Sequence, residues 1–164
     1  RLPVVVTRFC NIYGPGQLNF SAIIPDGIRS ALGYTKFIPR GDGTQVRDFI
    51  YVEDVSELYM LIGELLNNDP DRLTGEIFNA GTNVPHSVKN ILEMIFSLIG
   101  NTTELEEIIA LMKGRKTSGE IETQLMDFEK VNQFTGWKPK HSLEQGLSKT
   151  IDWYVKYLRE QNGL

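Results

Sequence analysis

Cysteine is nearly absent from this 164-residue chain; Cys10 stands alone, so no disulfide can form within it. A lone thiol makes a reducing compartment, the cytoplasm, the simplest address. Histidine is almost as scarce. His86 and His141 are far apart, with no pattern of cysteines or carboxylates around either, so no zinc site and no catalytic triad is expected. Long apolar runs are missing too. Val4-Val5-Val6 and Ile108-Ile109-Ala110-Leu111-Met112 fall far short of the roughly 20 residues that cross a bilayer, and no membrane contact is expected. Positive charge is not in excess. Lys and Arg number 17 against 21 Asp and Glu, a net charge of −4 without the basic stripe of a nucleic-acid surface. The chain has neither a signal peptide nor an initiating methionine and enters a Val-rich segment at once, which suggests a piece of something longer.

What is present reads as globular. The composition is 41% hydrophobic and 23% charged with no biased tract, and the length suits one domain with a core of its own. Leu2–Phe9 has the β-branched pattern of a strand buried on both faces of a parallel sheet. It runs into a turn cluster, Asn11-Ile12-Tyr13-Gly14-Pro15-Gly16. Apolar spacing predicts a helix from Ser21 to Leu32, with Gly33 ending it. Lys36–Pro39 reads as extended, Gly41-Asp42-Gly43 as a turn and Asp48–Val52 as a second short strand. Asp54 and Glu57 suggest a capping box for a helix to about Leu66, and Thr103 and Glu106 another for a helix to Lys113. Ile77–Asn79 is a strand and Ser87–Leu98 an amphipathic helix. Gly114–Gly119 is a polar loop, Ile121–Met126 a candidate strand, Asp127–Phe134 a helix, and Ser142–Leu158 a final helix capped by Ser142 and Gln145. Trp137 and Trp153 fall on packing positions. A complete doubly wound sheet needs several βαβ units, and this sequence supplies about one.

Several runs, taken in order, carry a resemblance. Thr7-Arg8-Phe9-Cys10-Asn11-Ile12-Tyr13-Gly14-Pro15-Gly16 resembles the end of the sixth sheet strand in extended short-chain dehydrogenases. Ile24-Pro25 then opens a helix, and the run Gly41 to Val55, with Arg47-Asp48-Phe49 at its centre, is similar to the most recognisable stretch of that family's second half. Gly75-Glu76-Ile77-Phe78-Asn79-Ala80-Gly81 and Phe134-Thr135-Gly136-Trp137-Lys138-Pro139 follow in the expected order. Together they cover almost the whole chain.

The resemblance implies an α/β fold: the C-terminal part of an NAD(P)-binding Rossmann-type protein, with one parallel-sheet strand and a mainly helical substrate-binding subdomain carrying short strands. Residues 1–164 would form a single substrate-binding region, with the cofactor-binding half absent. The family's G-x-x-G-x-x-G turn is not found here, and none of the six tyrosines has a lysine four residues later, as its Tyr-x-x-x-Lys pair requires. The family implies NAD as cofactor, held mainly elsewhere, and a nucleoside-diphosphate sugar as substrate. It implies a 4,6-dehydratase, in which the sugar C4 hydroxyl is oxidised, water leaves across C5 and C6, and the hydride returns at C6. Leu18-Asn19-Phe20 ahead of Ile23-Ile24-Pro25 and Ile28-Arg29-Ser30 looks most like CDP-glucose 4,6-dehydratases. A 4-epimerase and a stand-alone, non-catalytic nucleotide-sugar-binding module are the alternatives. Family members dimerise, and an uncovered Val4–Val6 strand would favour self-association of this piece.

On the same footing, Arg47 is the candidate fork for the diphosphate, the other reading being a salt bridge to Asp48 or Asp54. Asn11, at a strand's C-terminal end, is expected on the sugar diphosphate. Ala22 and Ile23 would offer helix N-terminal amides to phosphate. Ile38 and Arg40 would cradle the base. Arg115 would reach the diphosphate, with Lys116 as its substitute. Phe9 and Tyr13 would flank the nicotinamide, although both suit a core equally, Phe9 more so. No catalytic residue and no metal ligand is expected within the chain.

Overall fold

The computed structural model describes residues 2–115, 119–161 and 163. In chain order the elements are β1 (Val6–Phe9), β2 (Asn11–Tyr13), α1 (Ile23–Ala31), β3 (Val46–Arg47), β4 (Phe49–Tyr51), α2 (Val52–Asn68), α3 (Pro70–Leu73), β5 (Ile77–Ala80), β6 (His86–Ser87), α4 (Val88–Ile99), α5 (Thr102–Met112), β7 (Thr123–Gln124), α6 (Glu129–Thr135) and α7 (Leu143–Gln161). The expected class stands: a mixed α/β fold, mainly helical, with short strands.

Parallel pairing goes further than the one strand expected. β1 runs parallel to β5, with Val6 opposite Ile77 and Phe9 opposite Ala80. β2 runs parallel to β4, from Asn11 opposite Phe49 to Tyr13 opposite Tyr51. Asn11–Tyr13 is therefore strand, and the turn is confined to Gly14–Gly16. A third small sheet sets β3 between β6, antiparallel, and β7, parallel.

Helix ends follow their residues where the signal is local. Gly33, at φ 81°, closes α1 with its N–H on the Ser30 carbonyl while Tyr34 N–H reaches Arg29, a Schellman ending. Ser87 Oγ caps α4 by accepting the Asn90 N–H, and Gly100 ends it in the left-handed region. Ser142 and Gln145 form the predicted reciprocal box. The other two boxes do not form. α2 starts at Val52 with Tyr51 as its N-cap, and Asp54 turns inward to His141. α5 starts at Thr102 behind Asn101, whose side-chain amide donates to Glu104 and to the Ala31 carbonyl.

Two apolar cores result. One lies among α1, α4, α5 and α7 and includes Tyr13, Phe49, Tyr51, Phe96 and Tyr154. The other packs α2, α3 and α6 on β4 and β5, with Leu58, Ile62, Leu73, Phe78 and the predicted core residue Trp137. Trp153 is half-buried and stacks on Tyr157. β1 is covered on one face only. Phe9 packs on Tyr59, but Val4 and Val6 on the other face remain 53% and 46% exposed, because no layer of the described residues lies over them. The expectation of burial on both faces is corrected accordingly. Among the described residues no helix is long and apolar enough to cross a membrane. Of the loop read at Gly114–Gly119, residues 116–118 lie outside the described residues.

Candidate functional site

A cavity of about 450 Å³ opens between the N-terminus of α1, the 37–43 loop, β2 and the β3 strand. It gathers Asn11, Tyr13, Ala22, Ile23, Ile38, Arg40 and Arg47, seven of the nine residues proposed from sequence. Its size lies within the range usual for small-molecule pockets. Phe37, Phe49, Val88 and Met112 supply an apolar wall, while Gln17, Asn19 and Gln45 add polar groups that the sequence reading passed over.

Arg47 reaches the cavity because β3 is held from both sides, by His86 and by Gln124. Its Nη1 donates to the Val46 carbonyl at 2.9 Å and to the Ile121 carbonyl at 2.7 Å. Among the described residues no carboxylate pairs with it, so the salt bridge to Asp48 or Asp54 is not formed. Nη2 and Nε likewise donate to none of the described residues, and an oriented guanidinium edge is what a phosphate fork needs. Asn11 donates through Nδ2 to the Asp48 carbonyl at 2.9 Å, which fixes the side chain and leaves its own carbonyl oxygen uncommitted among the described residues.

The start of α1 needs one correction. The Ala22 N–H is spent on the Asn19 carbonyl at 3.0 Å, and Asp26 N–H is the first to bond back into the helix. Pro25 has no N–H. Ile23 and Ile24 are therefore the amides without an intrahelical acceptor. Asp26 also lines the cavity, and burial raises its carboxyl above the usual range even though Arg29 and Arg40 pull the other way. With Glu120 at the rim, the cavity holds two carboxylates against two guanidiniums. It is selective rather than simply basic.

Arg115 does not line the cavity. Its Nε donates to the Leu111 carbonyl at 2.9 Å and its Nη1 to the Pro39 carbonyl, so it latches the 37–40 segment from behind. Its guanidinium is thus held by two backbone carbonyls. Lys116, its substitute, lies outside the described residues. Phe9 is also outside the cavity, against Tyr59. Tyr13 is 3% exposed, and its hydroxyl donates to the Leu143 carbonyl at 3.1 Å. Burial holds that phenol well above its ordinary pKa. Tyr13 nevertheless contributes to the cavity lining.

Two other polar centres escaped the sequence reading. Asp48 is fully buried and accepts hydrogen bonds from Thr82, Asn83 and Met126. His141, read as lacking carboxylates, sits between two of them. Its Nδ1 is 2.9 Å from buried Asp54 and its Nε2 is 3.3 Å from Glu53, which also takes Lys149 at 2.8 Å. The hydrogen bond from Lys149 holds the Glu53 carboxyl below its usual range. Among the described residues no three His, Cys, Asp or Glu side chains are grouped to hold a metal ion.

An α1 N-terminus, a guanidinium edge and an apolar shelf thus line one cavity set on short parallel strands. The chain belongs to the GDP-mannose 4,6 dehydratase family, whose profile matches residues 1–150. The dTDP-D-glucose 4,6-dehydratase of Mus musculus is 35% identical over 159 residues, covering 95% of this chain and 42% of the mouse protein. The dTDP-glucose 4,6-dehydratase of Neisseria gonorrhoeae is 31% identical, over 99% of this chain and 47% of that protein. Among solved structures, dTDP-glucose 4,6-dehydratase from Bacillus anthracis in complex with NAD superposes with a TM-score of 0.76 at 32% identity, over 94% of this chain and 45% of that one. UDP-glucose 4-epimerase from Thermotoga maritima with UDP-glucose gives 0.75 at 25% identity, over 94% and 46%. The chain thus spans less than half the length of the relatives it matches.

Proposed function

We propose that this chain is the substrate-binding part of an NAD-dependent nucleotide-sugar 4,6-dehydratase. The observation that carries the reading is the cavity itself, where the free edge of Arg47, the Ile23 and Ile24 amides and Asn11 converge beside Arg40. In this reading the diphosphate lies between Arg47 and the α1 amides, where charge and helix dipole both favour an anion. The base rests over Ile38–Arg40, braced by Arg115, and Asn11 meets the sugar end. NAD, when bound, accepts and returns the hydride. In this reading most of the residues that hold it, and the acid and base that act on the sugar, belong to sequence outside these 164 residues, while Phe9 and Tyr13 would flank its nicotinamide. The chain alone is expected to be inactive.

CDP-glucose is the preferred substrate in this proposal, on the strength of the Leu18-Asn19-Phe20 run before α1; the dehydratases matched above carry dTDP-glucose names. Titration with CDP-, dTDP- and UDP-glucose separates the possibilities, and a tighter dTDP or UDP complex removes the CDP assignment. A 4-epimerase is the second reading, favoured by the fit to the Thermotoga maritima enzyme. Its signature is a C4-inverted product instead of a 4-keto-6-deoxy sugar. The full-length protein is proposed to be a cytoplasmic homodimer.

The central test is Arg47→Ala in the full-length enzyme. Loss of a phosphate fork raises the substrate KM about tenfold or more, roughly 1.4 kcal/mol per decade. Arg47→Lys restores only part, since a point charge cannot copy a planar fork. A fall in Tm with KM unchanged removes Arg47 from the site.

A further inference from the structure

Successive side chains leave an extended backbone on opposite sides. Arg47 lines the cavity, and Asp48 beside it goes inward and is fully buried. A carboxylate taken out of water is costly unless its lone pairs are filled. Among the described residues no cation pairs with Asp48. Its Oδ2 instead accepts the N–H groups of Thr82 and Asn83, both at 3.0 Å, and of Met126 at 3.3 Å, while Oδ1 accepts the Thr82 hydroxyl. The surroundings are shaped to this group. Asn83 is held at φ 56°, the one non-glycine in the left-handed region among the described residues. A Cβ on Gly81 would lie 2.4 Å from Oδ2 and 2.2 Å from the Met126 carbonyl oxygen.

The backbone of the same residue does a second job. Its carbonyl accepts both the N–H of Asn11 at 3.1 Å and the Asn11 side-chain amide at 2.9 Å, and its N–H donates to the Gln124 carbonyl at 3.1 Å. One residue thereby ties the exits of β5 and β7 to the start of β2 and to the two-residue strand that carries Arg47. A shift of Asp48 would move Arg47 and Asn11 together. We propose that Asp48 is a positioning residue that sets both substrate-binding side chains from a buried amide cradle. The proposal rests on the reading of Arg47 and Asn11 as substrate ligands.

The test uses the full-length enzyme assayed with CDP-, dTDP- and UDP-glucose. Asp48→Asn keeps the shape but turns an NH2 group toward donors, so KM is expected to rise roughly tenfold with a much smaller change in kcat. Thr82→Val removes one donor at constant shape and should raise KM in the same direction, about threefold. It carries the test alone if Asp48→Asn does not fold. The double variant Arg47→Ala with Asp48→Asn should show less than the product of the two single KM effects, because one acts through the other. If both Thr82→Val and Asp48→Asn lower Tm without moving KM, while Arg47→Ala does raise KM, the positioning role is overturned and the binding reading stands. If Arg47→Ala also leaves KM unchanged, both fall.

Discussion

The core beneath the cavity is covered by α1, α4, α5 and α7, whereas the core under β1 and β5 is covered from the α2 and α6 side only. The first encloses its aromatics: Tyr13, Tyr51 and Tyr154 are each 3% exposed or less. The second leaves Val4, Val6 and Ile77 open on the far face of its two-stranded sheet, with Met60 on α2 76% exposed. On the covered side Lys130 of α6 donates to the Ile77 carbonyl, pairs with Glu76 and lies over the Phe78 ring. The contrast shows where the chain is self-sufficient. The wall that shapes the cavity is made by its own residues, and the two-stranded sheet of β1 and β5 keeps one face exposed.

Two helical glycines test this contrast, and Gly146 carries the larger effect. On α7 it lies against β2 and β4, where a Cβ would fall 2.1 Å from Tyr13 Oη and 2.9 Å from Tyr51 Cδ2. Those rings are buried and Tyr13 is tethered to Leu143, so neither can swing away. Gly146→Ala should cost about 2–3 kcal/mol and lower Tm by on the order of 5–10 °C. A thermal melt within a degree of wild type would mean that the first core is loosely packed.

Alkaline pH separates the cores by chemistry. Burial, first of all, pushes Tyr51 and Tyr154 from 10.0 up to about 12. A phenol whose folded pKa is raised contributes stability that is whole below the unfolded value and is lost as pH rises toward the folded one. Stability should therefore fall between pH 10 and 12, checked by thermal melts across that range. The second core has no buried tyrosine; its titrating group is Cys10, raised by burial and then by the Asp48 charge beside it. Tyr154→Phe should flatten the pH 10–12 loss, and an unchanged profile would acquit that tyrosine.

The exposed face predicts association. Val6→Lys places a charge opposite Ile77 on the open face and should shift sedimentation of the isolated chain toward monomer by about tenfold in apparent Kd. A wild-type chain that stays monomeric at high concentration would show that this face is stable in water.

How much of this was legible depended on the range over which each signal acts. Gly33 and the Ser142–Gln145 box act within a turn of chain, and both behave as their local chemistry dictates. The cavity residues were legible through motif order, since Asn11, Arg40 and Arg47 fall at strand ends and loop tips that the fold brings together. Contacts across long separations were not. The Asp54–Glu57 pattern is a sound local cap signal, but Asp54 finds His141 across 87 positions and is buried there instead. Arg115 kept its place near the cavity, yet its guanidinium satisfies two carbonyls that no sequence pattern announces. β1 looked buried on both faces because Val-rich strands usually are. Its second face is instead exposed, with none of the described residues layered over Val4 and Val6.

The smallest predicted effect is at the second glycine. Gly63 sits inside α2 with negative φ, and a methyl group added there would meet nothing within 4 Å, in contrast to the crowded Gly146. Alanine there loses less conformational entropy on folding than glycine, and no clash offsets the gain. Gly63→Ala should stabilise the isolated chain by about 0.5–1 kcal/mol, a rise in Tm of roughly 2–4 °C. The sign is informative because Gly63 follows Tyr59 and Met60 at helical spacing along the exposed side of α2. If that side is bare, alanine stabilises at every concentration. If it is where another surface packs closely, the added methyl weakens association while still raising the stability of the monomer. Melts at low and high concentration, for Gly63→Ala and wild type together, distinguish these outcomes. A loss of stability in the dilute monomer would contradict the open environment of Gly63 and, with it, the contrast between the two cores.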